Sequence, residues 1–230
     1  MLTETSVRTT KLPSGEAVPV LGQGTWHLAE GRHRDEEEVQ ALRLGLDLGM
    51  TLIDTAEMYA EGGAEELVGE AIEGRRKDVF LVSKVLPHNA TVRGTMLACD
   101  RSLRRLRTGT GEATDRVLYN LARRGPEYDL LPWCRQRHIP IMAYSPIEQG
   151  RILKHSTLEA VAIRHSATPA QVALAWVLQQ DGVIAIPKAG SARHVRENRG
   201  ALEARLTKQD MAELDRAFPL PTEPRPLEML

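Results

Sequence analysis

The stretch TLIDTAEMYAEGGAEELVGEAIEGRRKDVFLVSKV, residues 51–85, decides the fold class. It begins with a short apolar run at 51–56, continues with a helix-forming segment at 64–72 that is closed by Gly74, and ends in a second apolar run at 79–85. Short apolar runs that alternate with helices are typical of parallel strands that are buried on both faces. This stretch therefore predicts a strand–helix–strand unit of an α/β protein.

The same alternation extends over the rest of the chain. Residues 11–20, KLPSGEAVPV, predict a hairpin with Pro13, Ser14 and Gly15 in its turn. Because the first strand is not followed by a GxGxxG motif, a (β/α) barrel is favoured over a dinucleotide-binding Rossmann half. The parallel strands are predicted near Val20, Leu52, Leu81, Leu118, Met142 and Ile184.

Composition excludes several other classes of protein. The chain has 230 residues, 42% of them apolar, and a formal net charge of −1, which argues against bulk nucleic-acid binding. No apolar run approaches the roughly 20 residues of a membrane-spanning helix, and the N-terminus lacks the pattern of a signal peptide. Two cysteines are too few for a disulfide framework or a zinc site, so the reducing cytoplasm is the expected location. A typical (β/α) barrel has about 250 residues, so this chain is short for one.

Three chemically complementary residues follow the predicted strands. Asp54 ends one strand, Tyr59 lies in the loop beyond it, and Lys84 ends the next strand. In a barrel, catalytic residues come from the carboxyl ends of the strands, so these side chains are expected to converge. A tyrosine phenol is a poor acid at neutral pH, but a nearby lysine cation stabilises the phenolate, and a carboxylate keeps that lysine charged. The trio predicts a tyrosine acid that protonates a carbonyl oxygen while a hydride attacks the carbon.

Five segments of the sequence resemble the aldo-keto reductase family. They are LGQGTW (21–26), GMTLIDTAEMYAEGGAEELVGEAI (49–72), FLVSKV (80–85), AYSPIEQG (143–150) and IPKAGSARHVREN (186–198). The resemblance implies a TIM-type barrel with an N-terminal hairpin across its bottom, in the form of a single domain over residues 1–230. It also implies reduction of aldehydes or ketones with NADPH, or in some cases NADH, without a metal.

The resemblance also implies roles for individual residues. Tyr59 would be the general acid, tuned by Lys84 and Asp54, and the substrate pocket would be lined by Trp26 and His88. His194 stands where many members have an arginine for the 2′-phosphate of the cofactor, and the adjacent Arg193 would compensate. The resemblance assigns cofactor binding to Gly24, Thr25, Asp54, Tyr144, Ser145, Ile147, Gln149, Lys188, Arg193, His194, Glu197 and Asn198.

One region departs from the family pattern. Where the family continues with a strand that ends in the catalytic histidine, and with another that ends in the Ser-Asn pair gripping the nicotinamide carboxamide, this chain has the polar connector RTGTGEATD at 107–115. The glutamine that usually begins the next strand is Arg116. The fourth and fifth barrel units are therefore predicted to be absent, which leaves six parallel strands in an incomplete or distorted barrel.

The predicted deletion affects both assembly and activity. Two unpaired strand edges favour self-association of the chain. Loss of one acid–base group commonly costs about 10²–10⁴-fold in rate, so turnover is expected to be weak, with His27 and His88 as the histidines that could substitute. Three hypotheses remain open: a carbonyl reductase acting on a small molecule, a protein that binds the dinucleotide without chemistry, and a shortened barrel with no function of its own.

Overall fold

A computed structural model gives the fold of the chain, in which strands and helices alternate as the apolar pattern predicts. The structure describes residues 7–31, 35–86, 89, 92–109 and 116–223. The chain divides into two compact units. The central unit comprises Gly22–Thr114 and Lys188–Arg196, and the terminal unit comprises Met1–Leu21, Asp115–Pro187 and Glu197–Leu230.

The central unit contains a parallel three-stranded sheet. Its strands, in spatial order, are β3 (Gln23–Gly24), β4 (Leu52–Asp54) and β5 (Phe80–Val82). The register aligns Asp54 with Gly24 on one side and with Val82 on the other. Since all three strands run in the same direction, their carboxyl ends lie along one edge of the sheet.

Three helices accompany this sheet: α1 (Asp35–Asp47), α2 (Gly63–Ala71) and α3 (Val92–Arg105). The apolar faces of α1 and α2 meet in a core that includes Leu42, Val68 and Leu106, the residue that follows α3. The helices α2 and α3 approach very closely at Gly69, where an added Cβ would lie 2.5 Å from the carbonyl oxygen of Arg105. Only glycine permits so short a distance between the two backbones.

The terminal unit contains the predicted hairpin and a second parallel sheet. The hairpin pairs β1 (Thr9–Lys11) with β2 (Ala17–Pro19) in antiparallel register. The parallel strands, in spatial order, are β6 (Arg116–Leu118), β7 (Ile141–Tyr144) and β8 (Val183–Ala185). A single parallel bridge joins Leu21 to Ala185 of β8.

Most of the remaining helices belong to the terminal unit. Thr168 caps α6 reciprocally with Gln171, and Pro169 occupies the first helical position, where its missing N–H is tolerated. The helices are α4 (Leu130–Gln136), α5 (Ser156–Arg164), α6 (Pro169–Leu178), α7 (Ala192–Gly200) and α8 (Lys208–Ala217), and the boundary between the units falls within α7.

The predicted count of parallel strands is confirmed, because the described residues contain six of them in two sheets of three. Among those residues β5 has β4 as its sheet neighbour and β6 has β7, so each is an edge strand. No described helix has both the length and the apolar character needed to cross a membrane. The assignment of residues 1–230 to a single domain stays a prediction.

Candidate active site

Backbone hydrogen bonds beyond the strands fix the carboxyl edge of the central sheet. The backbone N–H and the Oγ1 hydroxyl of Thr25 both donate to the carbonyl oxygen of Asp54, at 3.0 and 3.1 Å. The N–H of Thr55 donates to the carbonyl of Val82 at 2.8 Å. These bonds extend the ladders past the last strand residues, so Thr25, Asp54 and the chain leading to Lys84 are held in register.

Lys84 connects the other two members of the predicted trio. Its Nζ atom lies 3.2 Å from Oδ1 and 3.3 Å from Oδ2 of Asp54, and it also donates to the carbonyl oxygen of Thr55. The same ammonium lies 4.7 Å from the centroid of the Tyr59 ring. Asp54 is buried, so its charge needs the paired lysine. The structure therefore brings Asp54, Tyr59 and Lys84 together.

Tyr59 is held at a sharp turn between the strand end and α2. Its backbone N–H donates to the carbonyl of Ala56, and its buried ring packs with Ala56 and Ala64. The next two residues, Ala60 and Glu61, both have left-handed backbone conformations, with φ of 49° and 55°. Such conformations cost energy for residues other than glycine and concentrate at functional sites.

The loop after β3 forms an aromatic wall beside Tyr59. Trp26 packs against the cluster that contains Tyr59, and the His27 ring stacks on Trp26 with centroids 4.1 Å apart. The Nδ1 atom of His27 lies 2.7 Å from a carboxylate oxygen of Glu30. Trp26 therefore lies beside Tyr59, and its role in lining a substrate pocket stays a prediction, whereas His88 lies outside the described residues.

Glu57 is a buried carboxylate of this site to which the sequence pattern assigned no role. It accepts from the N–H of Leu86 at 2.7 Å and from Nδ2 of Asn89 at 3.0 Å, and it pairs with Arg101 at 3.4 Å. Burial alone would raise the pKa of Glu57, but these hydrogen bonds and the arginine charge lower it overall. Glu57 lies three residues beyond Asp54, and this position just after a strand is the feature of the sequence that indicates a place in the site.

The segment Lys188–Arg196 of the central unit carries several basic side chains. Lys188 follows β8 and forms a parallel bridge with Gly24, next to Thr25. Arg193 and His194 are exposed in the first turn of α7, where Nη2 of Arg193 lies 3.0 Å from Nε2 of His194. Three of the residues assigned to the cofactor therefore belong to one unit and one segment.

In the terminal unit, a buried asparagine holds the loop after β7. Asn120 is fully buried, and its Nδ2 donates to the carbonyl of Ser145 at 2.9 Å and to Glu148 at 2.8 Å. Glu148 also pairs with Arg123 at 3.0 Å. Asn120 lies two residues beyond β6, and this position at a strand end is the feature of the sequence that indicates a functional role.

Four residues that the resemblance assigns to the cofactor lie at the end of β7 and on this loop. Tyr144 and Ile147 are half-buried, and Gln149 is exposed and accepts from Nη2 of Arg151 at 2.7 Å. Ser145 and Gln149 have left-handed conformations, with φ of 48° and 54°. Their backbone is bent into a compact turn, which the contacts of Asn120 and Glu148 hold in place.

The remaining predicted cofactor ligands, Glu197 and Asn198, lie in the second half of α7. The carbonyl oxygen of Glu197 accepts from Nε2 of Gln171 at 3.1 Å. Asn198 is buried, and its Nδ2 has no hydrogen-bond partner among the residues that the structure describes. An unpaired buried amide costs free energy, so this donor fits a site that a polar ligand completes.

An acid–base trio at the carboxyl ends of parallel strands is typical of an enzyme site in a (β/α) fold. The Aldo/keto reductase family model matches this chain over residues 20–115 and 110–218, which together cover most of its length. The chain belongs to the aldo/keto reductase family.

Individual relatives support the same assignment. Methylglyoxal reductase YeaE of Escherichia coli is 41% identical over 93% of this chain and 96% of its own. An aldo/keto reductase from Klebsiella pneumoniae, solved in complex with NADP and acetate, matches with a TM-score of 0.92 and 39% identity over 97% of this chain and 100% of its own. A second structure from the same organism, in complex with NADPH, has the same TM-score. The predicted fold class is thereby confirmed.

The comparison also confirms that the chain is shortened. The alignment with the Escherichia coli relative spans 272 positions, whereas 93% of 230 residues is about 214, so about 58 positions have no residue of this chain opposite them. The two family matches meet at residues 110–115, inside the polar connector. Two barrel units of about 30 residues each would account for a gap of this size.

Proposed function

We propose that this chain reduces a small aldehyde or ketone with NADPH, with Tyr59 as the general acid. The observation that carries the proposal is the position of the Lys84 ammonium, between the Asp54 carboxylate at 3.2 Å and the Tyr59 ring at 4.7 Å. A 2-oxoaldehyde such as methylglyoxal is the proposed substrate class. The name of the relative from Escherichia coli supports this choice.

The proposed chemistry divides between the cofactor and three side chains. NADPH, when bound, supplies the hydride. The Tyr59 hydroxyl donates its proton to the carbonyl oxygen, which completes the alcohol and leaves a phenolate. Lys84 stabilises that phenolate by its charge, and Asp54 keeps the lysine charged and in place. Trp26 limits the space beside Tyr59 and favours a small substrate.

The residues assigned to the cofactor fit a phosphorylated dinucleotide. Lys188, Arg193 and His194 are the residues proposed to receive the 2′-phosphate, and the charges of the lysine and the arginine favour NADPH over NADH. The unpaired Nδ2 of Asn198 is a donor suited to a purine nitrogen. Thr25 and Gly24 are proposed to approach the nicotinamide ribose, and Tyr144 to stack on the nicotinamide. Ser145, Ile147, Gln149 and Glu197 complete the proposed contacts.

We further propose that turnover is slow. The two family matches meet at residues 110–115, where the resemblance places the family's catalytic histidine and the Ser-Asn pair that contacts the nicotinamide carboxamide. Loss of one positioned acid–base group commonly costs about 10²–10⁴-fold, and poorer hydride geometry adds to that cost. We also propose that the chain is cytoplasmic and associates with itself through the edges of β5 and β6.

A two-stage experiment tests this proposal. The purified chain is titrated with NADPH by fluorescence, and NADPH oxidation is then followed with methylglyoxal. We expect saturable binding and slow oxidation. Binding of NADPH without its oxidation would indicate a protein that binds the dinucleotide without chemistry. Absence of NADPH binding would contradict both the reductase and the binding function.

A further inference from the structure

Two buried glutamates flank Tyr59 along the chain, and each forms an ion pair with α3. Glu57 is 7% exposed and pairs with Arg101 at 3.4 Å, whereas Glu65 is 0% exposed and pairs with Arg105 at 2.6 Å. The two arginines are four residues apart, so they lie on one face of the helix, one turn from each other. The segment that carries Tyr59 is therefore attached to α3 on both sides of the tyrosine.

The same two carboxylates hold the segment that carries Lys84. The Oγ of Ser83 donates to Oε1 of Glu65 at 2.6 Å, and the N–H of Leu86 donates to Oε1 of Glu57 at 2.7 Å. Lys84 is thus anchored on both of its sides, by residues immediately before it and two positions after it. Each glutamate joins three parts of the central unit: the Tyr59 turn, the end of β5, and α3.

We propose that Arg101, Arg105, Glu57 and Glu65 form a clamp that sets the distance between Lys84 and Tyr59. Within the proposed function, on which this inference rests, they are positioning residues for the proton transfer. The segment that carries Lys84 has a sheet neighbour on one side alone, because β5 is an edge strand among the described residues. α3 is the last described helix before the connector where the two family matches meet.

The direction in which the ionisation of Tyr59 moves in Glu57→Gln distinguishes a positioning role of Glu57 from the effect of its charge alone. The titratable groups on the elements beside Tyr59 are Lys84 and Asp54 at the strand ends, Glu57 and Glu61 on its own segment, and His27, which stacks on Trp26. Removing the negative charge of Glu57 by Glu57→Gln would, through charge alone, make the phenol ionise at lower pH. A loosened clamp instead takes Lys84 away from Tyr59, so ionisation moves to higher pH.

The test is a spectrophotometric titration of tyrosinate in the full chain, with Tyr59 isolated as the difference between each protein and its Tyr59→Phe counterpart. We expect Glu57→Gln to move the ionisation of Tyr59 upward by about one pH unit, equivalent to a tenfold change in its ionisation constant. The matched control is Glu61→Gln, which removes an exposed carboxylate from the same turn and is expected to give no upward shift.

Arg101→Gln provides a second variant. Arg101 is partly exposed, so its replacement is expected to leave the fold intact, whereas replacement of the buried Glu65 would disturb the packing. We expect an upward shift for Arg101→Gln and none for Arg104→Gln, an exposed arginine of the same helix. Folded Glu57→Gln and Arg101→Gln proteins with an unshifted or downward-shifted Tyr59 would overturn the clamp. Because the titration needs no turnover, inactivity of the chain would refute the proposed function alone.

Discussion

At the residue scale, the arrangement of Asp54, Tyr59 and Lys84 follows from the rule that parallel strands end at one edge of a sheet. That rule makes these residues predictable from sequence, because each lies at or soon after a strand. Glu57 and Asn120 also follow strands, but their partners were not predictable because those partners lie on distant segments, and the same holds for the buried Glu65. Asn120, for example, holds Ser145, 25 residues further along the chain.

Asn120 offers a residue-scale prediction for the terminal unit. In Asn120→Ala, the carbonyl of Ser145 and the carboxylate of Glu148 lose a buried donor, which costs about 1–3 kcal/mol of unfolding free energy. The loop after β7 is then less well held, and we expect NADPH to bind about tenfold more weakly, a change of about 1.4 kcal/mol. Urea denaturation and NADPH titration measure the two effects, and unchanged values in both would contradict the role given to Asn120.

At the element scale, the close approach of α2 and α3 depends on Gly69. In Gly69→Ala the new methyl group would lie 2.5 Å from the carbonyl oxygen of Arg105, so the helices must separate. We expect a loss of about 1–3 kcal/mol in unfolding free energy, as for other overpacked sites. Gly109→Ala is the control, because nothing lies within 4 Å of its added Cβ. Equal stability of the two variants in urea would contradict the packing described for α2 and α3.

The contact between α5 and α8 has a predictable pH dependence. Burial alone would raise the pKa of Asp210, but hydrogen bonds from Thr207 and His165 lower it from 3.8 to about 2. A lowered carboxyl pKa stabilises the fold above the unfolded value, near 4, and this contribution is lost as the pH falls through about 2.

We therefore expect Asp210→Asn to be less stable than the parent chain by about 2 kcal/mol at pH 7. The difference should narrow steadily as the pH is lowered from 4 towards 2. Urea denaturation of both proteins across this range measures it. If the difference in unfolding free energy between the two proteins stayed constant down to pH 2, the charge of Asp210 would not be the cause of its effect.

At the scale of the whole molecule, the shortened chain leaves β5 and β6 as edge strands among the described residues. Unpaired edges tend to pair with other chains, so we expect concentration-dependent association in sedimentation velocity. Leu81→Lys in β5 is not a suitable test of pairing through the β5 edge, because the Leu81 side chain is buried in the core. The measurement is made on the chain alone and on the chain with a saturating concentration of NADPH. A single monomeric species at high protein concentration in both samples would contradict the proposed self-association.

The order of strands and helices, the hairpin and the missing region were predictable from sequence, because each depends on local pattern or on counting. The division into two compact units was not, since it is set by long-range packing that no local pattern records. The same holds for the glutamate–arginine pairs around Tyr59. Glu65 looks like an ordinary acidic residue at the start of α2, yet it is fully buried because Arg105 and Ser83 satisfy it.

A single-turnover reaction tests most directly whether Tyr59 is the proton donor in carbonyl reduction. The parent chain and Tyr59→Phe are each loaded with NADPH and mixed with methylglyoxal in excess, and the loss of NADPH absorbance is followed. We expect slow, complete oxidation by the parent chain and a rate about 10²–10⁴-fold lower for Tyr59→Phe, with NADPH binding unchanged. Equal rates for the two proteins would contradict the assignment of Tyr59 as the proton donor.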